Sequence, residues 1–133
     1  MTEPRRDEDD GGRTEAQIAG VQGVGRYRRH ILLCIGPDCC SSEQGLETWT
    51  YLKRRLKELV ASGHSPQYDV FRSKVGCLRI CRGGPIMIVY PDGTWYRQVT
   101  PKVCERILME HVVDGNVVED YVFADNPIGL RPA

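Results

Sequence analysis

Five of the six cysteines fall in two short groups. Cys34 and Cys39 stand in "HILLCIGPDCC", with Cys40 directly after the second, and Cys77 and Cys81 stand in "VGCLRICRGGP". Thiols grouped in this way hold a metal or exchange disulfides, and spacing separates these chemistries. Dithiol exchange works through C-x-x-C, which the chain does not contain. Structural zinc knuckles also favour C-x-x-C, whereas the spacings here are C-x4-C and C-x3-C. A 2Fe–2S cluster divides four thiolates between two iron atoms and so accepts more varied loops. On donor count alone, a 2Fe–2S cluster and a tetrahedral zinc both remain open.

The elements around these cysteines decide whether they can meet. His30 to Ile35 is a short, almost wholly apolar run, as expected of a strand covered on both faces. Ser41 with Gln44 fits a capping box. The helix that follows places Leu46, Trp49, Leu52, Leu56, Leu59 and Val60 on its apolar face. "YDVFRSKV" reads as a second strand, nearer an edge. "IMIVY", "PDG" and "TWYRQV" read as a hairpin turned at Asp92-Gly93. Thr100 and Pro101 open a second helix with Val103, Cys104, Ile107, Leu108 and His111 on its apolar face. "NVVEDYVFA" is expected to be extended, along the domain or a partner.

Two strands joined through a helix run parallel with a right-handed crossover. Cys34 then ends the first strand and Cys77 follows the second, about 5 to 10 Å apart across one sheet edge. Cys39 and Cys81 lie in the loops leaving those strands. Open α/β sheets place their ligands at this carboxyl edge. The fold class expected is α/β and thioredoxin-like. Its sheet is mixed and four-stranded, built as βαβ, then a β-hairpin, then a helix, with two flanking helices.

The bulk composition narrows the function further. At 133 residues the chain has room for one domain with a tail. The division expected is a disordered tail over 1–27, the domain over 28–124 and a loose end over 125–133. Eighteen basic residues balance eighteen acidic ones, which argues against a nucleic-acid binder. No apolar run is long enough for a membrane span. The start, "MTEPRRDEDDGG", lacks the apolar stretch of a secretory signal. A cytoplasmic location is expected, where thiols stay reduced and serve as ligands or catalysts.

"GCLRICRGGPIMIVYPDGTWYRQVTP" closely resembles the hallmark segment of thioredoxin-like 2Fe–2S ferredoxins, in which G-C-x-x-x-C, G-P, an apolar strand, "YPDG" or "YPEG" and "WY" follow in order. "HILLCIGPDC" is similar to that family's opening strand and first two ligands. A related module is a subunit of respiratory NADH dehydrogenases, with the same C-x4-C spacing. The resemblance runs from about His30 to Phe123. It implies a 2Fe–2S cluster on Cys34, Cys39, Cys77 and Cys81, one-electron transfer between redox enzymes, a homodimer and no catalytic residue. The alternative is a zinc-stabilised or metal-free interaction module that kept the fold without a redox role.

The chain departs from the family pattern in two ways. Cys40 offers a second choice beside Cys39, and Arg72, Lys74, Arg79 and Arg82 stand near a site that many ferredoxins surround with acids. A redox partner with an acidic docking patch is therefore expected. Cys104 is read as a core residue. His30, His64 and His111 share no ligand spacing and receive no role. Gly84-Pro85 is read as strand entry, where a cis peptide is also open.

Overall fold

The computed structural model describes residues 12–129. Two helices and five strands make the body of the protein. Strand β1 (Arg29–Cys34) leads through helix α2 (Ser42–Ala61) to β2 (Val70–Val75). Strands β3 (Ile86–Tyr90) and β4 (Thr94–Tyr96) form the hairpin. Helix α3 (Pro101–Arg106) continues as wider π-helical turns over Ile107–Val113, and β5 (Val122–Asp125) closes the sheet. The order across the sheet is β2-β1-β3-β4-β5. β1 and β2 run parallel with Cys34 opposite Val75, and the remaining pairs are antiparallel.

Local chemistry sets the helix starts. The Ser41 hydroxyl accepts the Gln44 N–H at 3.1 Å, and the Gln44 side chain accepts the Ser41 N–H at 3.1 Å. Thr100 caps α3 through the Val103 N–H at 3.3 Å, with Pro101 as the first helical residue. α2 lays Trp49, Leu52, Leu56 and Leu59 on the sheet face that carries Ile31, Leu33, Met87 and Val89; α3 adds Val103 and Cys104, and the π-helical turns add Ile107 and Leu108. Each such side chain taken from water contributes roughly 1.5–3 kcal/mol. Cys104 is fully buried in this core, and burial pushes its thiol up to about 12.

Four expectations need correction. The sheet has five strands, because "VFAD" pairs with β4 through a register shift at Trp95/Tyr96. Residues 1–27 do not form one structureless tail: Glu15–Gln22 is a helix, α1, while residues 1–11 lie outside the described residues. α1 buries no residue. It is held locally by a capping box between Thr14 and Gln17 and by Gly23 at its C-terminal end. The end after 125 is not loose throughout, since the Asn126 and Ile128 amides bond to the Gly93 and Pro91 carbonyls at 2.7 and 2.9 Å; residues 130–133 lie outside the described residues. Finally, Leu46 and Val60 of α2 are exposed, while Gly45 and Thr48 face inward. A Cβ on Gly45 would collide with the Ile35 backbone, so only glycine lets this turn rest on the end of β1.

His111 has a structural part that its spacing did not reveal. It is 1% exposed. Its Nε2–H donates to Asp92 at 2.6 Å, and its Nδ1 accepts the Tyr96 hydroxyl at 2.8 Å. That hydroxyl in turn accepts the Val118 N–H at 3.1 Å. This chain ties the π-helical turns to the hairpin at the sheet end opposite the cysteines.

Candidate metal centre

Cys34 is the last residue of β1, and its neighbours on both sides in the sheet end at the same level. Gly36 to Cys40 turn the chain from β1 into α2 and bring Cys39 back over the strand end. The Cys34 and Cys39 sulfurs are 2.7 Å apart, and both residues are buried with Ile86. Trp95 and Phe123 pack against this small cluster with their rings edge to face at 6.2 Å.

Cys77 and Cys81 are exposed on the loop that leaves β2. Their sulfurs and a carboxylate oxygen of Asp38 all lie within 4.8 Å of one another. The two pairs share one sheet edge: the Cys34 sulfur reaches the carbonyl of Gly76, the residue before Cys77, at 3.8 Å. Arg79 and Cys81 both take positive φ, 71° and 63°. This curls the loop so that the Arg79 N–H donates to the Cys77 sulfur at 3.2 Å.

Gly84 closes the site from the hairpin side. Its N–H donates to the Cys39 carbonyl at 2.8 Å, and the Gly84–Pro85 peptide is cis. A Cβ here would stand 2.7 Å from the Cys39 sulfur. Cys40 is half-buried with its sulfur 3.7 Å from that of Cys39. It stands at the entrance of α2, one step further from the paired sulfurs.

Burial pushes the Cys34 thiol up, and its contact with Cys39 adds to this; the Gly36 and Leu78 amides pull the other way. Burial likewise raises Cys39 and Cys40. Cys81 is raised first by its hydrogen bond with Cys77, with Asp38 adding to the effect and Arg79 opposing it. The free protein therefore favours protonated thiols, and a metal must displace their protons to bind.

Two pairs of thiols, one inside and one at the surface, are the donor set of a group with two metal atoms that each take two thiolates. The amides of Gly36, Leu78 and Arg79 aim at sulfur from the protein side, as such a negatively charged group requires. The residues present fit a 2Fe–2S cluster. Two thiolates on one tetrahedral metal at ~2.3 Å lie about 3.7 Å apart, so Cys34 and Cys39 need to separate only by about 1 Å. Asp38 is the donor that sequence reading missed. Its place directly before Cys39 in the loop is the signal that the sequence offers.

A mixed sheet flanked by helices, with four thiols at one edge and no C-x-x-C, defines a thioredoxin-like metal-binding domain. No model of a protein family matches the chain. Individual proteins do. A 2Fe–2S ferredoxin of Clostridium pasteurianum is 31% identical over 96 residues, which cover 69% of this chain and 92% of that one. A Priestia megaterium protein provisionally named a 2Fe–2S ferredoxin is 33% identical over 88 residues, covering 66% of this chain and 64%, under two thirds, of its own length. The solved structure of a thioredoxin-like [2Fe–2S] ferredoxin from Aquifex aeolicus superposes with a TM-score of 0.63 at 26% identity, covering 79% of this chain and 99% of that one. The chain belongs to the thioredoxin-like 2Fe–2S ferredoxins.

Proposed function

We propose that the protein is a one-electron carrier, a ferredoxin and not an enzyme, that holds a single 2Fe–2S cluster on Cys34, Cys39, Cys77 and Cys81. The observation that carries this reading is the meeting of a buried and an exposed thiol pair at one sheet edge. Bound there, the cluster supplies a reversible one-electron change without proton chemistry. The protein's own residues do the rest. Cys34 and Cys39 keep water from one side, the amides of Gly36, Leu78 and Arg79 offset negative charge, and the exposed Cys77 and Cys81 let a partner approach.

The electron-carrying unit is read as residues 28–124, extended by one residue to complete β5. Arg79 and Arg82 on and beside the Cys77–Cys81 loop, with Arg72 and Lys74 along the strand that leads to it, support a redox partner with an acidic docking patch. The family resemblance supports a homodimer, and cysteines grouped as ligands and not as disulfides support a cytoplasmic setting. Among the described residues no helix is long and apolar enough to cross a membrane.

A second reading has one observation in its favour: Asp38, Cys77 and Cys81 alone could take a zinc ion. Metal analysis of anaerobically purified protein, with EPR after dithionite reduction, decides between the two. The ferredoxin reading expects about two iron and two sulfide per chain and a signal on reduction. Zinc with no EPR signal would overturn it.

A further inference from the structure

We infer that the groove between α1, α2 and the edge strand β2 is a docking site for an acidic segment with an apolar anchor, presented by a redox partner. The inference rests on the electron-carrier reading and names the partner's contact surface. The groove has a volume of about 340 Å³. Leu56, Val60 and Tyr68 supply its apolar wall, and Lys53, Lys57 and Arg72 its cationic rim. Val60 and Tyr68 are 36% and 37% exposed, so this wall is open to an incoming side chain.

The rim carries cations that, among the described residues, have no acidic partner. Arg28, Arg29, Arg54, Arg55 and Arg106 each have a carboxylate within 4 Å. Among the described residues, Lys53, Lys57 and Arg72 have none. The Arg72 Nε is buried without a hydrogen-bond partner, and burial lowers its pKa with no carboxylate to offset this. Its guanidinium stands 5.7 Å from the centre of the Trp49 ring, and the Lys53 and Lys74 ammonium groups each stand 5.9 Å from it. Three cations on one ring repel one another, and a half-buried cation without a counter-charge is a costly arrangement. An arriving carboxylate relieves both.

The chemistry selects an acidic protein segment over a nucleic acid. The wall beneath the cations is apolar, and the chain has no net charge with which to hold a polyanion. β2 leads from the groove into the loop carrying Cys77, roughly 15 Å further on. That separation lies within the span of one standard protein–protein interface, so a partner seated here can also cover the exposed thiol pair.

The test uses the full chain with its cluster loaded and a fluorescein-labelled peptide of alternating aspartate, glutamate, phenylalanine and leucine, followed by anisotropy. Saturable binding is expected, weakened at least about tenfold by Arg72→Glu, by Lys57→Glu and by raising salt from about 0.05 to about 0.5 M. Val60→Asp is expected to weaken it to a similar degree. Lys57 and Val60 are exposed, so these variants keep the test independent of any folding defect in Arg72→Glu. Iron content and the EPR signal are read in parallel: their absence from the parent protein would strike the electron-carrier reading, not the groove. Affinity unchanged in Lys57→Glu and Arg72→Glu would overturn the inference. So would equal binding by the same peptide with serine in place of its apolar residues, or by an oligonucleotide of equal charge.

Discussion

The Gly84 N–H and the Cys39 carbonyl are joined at 2.8 Å, and the space where a Gly84 side chain would begin is filled by the Cys39 sulfur. A Cβ 2.7 Å from that sulfur and 2.9 Å from the Cys39 Cβ forces the thiol to move. Gly84→Ala should therefore lower iron content several-fold while far-UV circular dichroism stays unchanged. Gly76→Ala is the matched control, because a Cβ there meets nothing within 4 Å, and it should load normally.

Cys39 and Cys40 compete for the same assignment, and their positions differ. The Cys39 sulfur is 2.7 Å from that of Cys34, whereas the Cys40 sulfur contacts Cys39 at 3.7 Å. Cys39→Ser is expected to lose most of the cluster or shift its visible absorption strongly. Cys40→Ser should retain both content and spectrum. The reverse pattern would move the ligand by one residue.

Stability should depend on pH through Glu105. Its carboxylate accepts from Arg55 at 2.7 and 3.1 Å and from the Tyr51 hydroxyl at 2.6 Å. The Arg55 hydrogen bond, above all, holds its pKa below the usual carboxylate range. Burial and then Glu105 push Tyr51 up to about 12, so Tyr51 stays a donor. A carboxyl lowered by folding stabilises the native state above its ordinary pKa, and that support is lost as pH falls through the folded value. Both side chains are partly exposed, which limits the contribution to about 1 kcal/mol. Glu105→Gln should lower the melting temperature at neutral pH by a few degrees, with the difference from the parent shrinking towards about pH 4.

The cysteine edge was legible because it follows from connectivity. A helix between β1 and β2 makes them parallel, and parallel strands end together. The Ser41, Thr100 and Asp92-Gly93 signals act within a few residues and were equally plain. What sequence reading missed depends on distant partners or on no core at all. His111 takes its meaning from Tyr96 and Asp92, 15 and 19 residues away. β5 is short, and the acidic Glu119 and Asp120 before it disguise its pairing with β4. α1 has no buried face, so a search for apolar periodicity passes over it. Asp38 was not legible as a donor, because its approach to Cys77 and Cys81 depends on how two separate loops fold.

The apolar interior comes in two unequal parts: a main core spanning both helices and the sheet, and a small group of Cys34, Cys39 and Ile86 at the sheet edge. In small zinc domains binding and folding are one event, and stripping the metal unfolds the chain. Here the main core shares no buried residue with the cysteine edge, so a chain stripped of its cluster is expected to keep its far-UV circular dichroism. Oxidants that destroy the cluster would then disarm the carrier and spare the scaffold. On that expectation the polypeptide would outlive its cofactor, and repair would consist of recharging an old chain instead of making a new one.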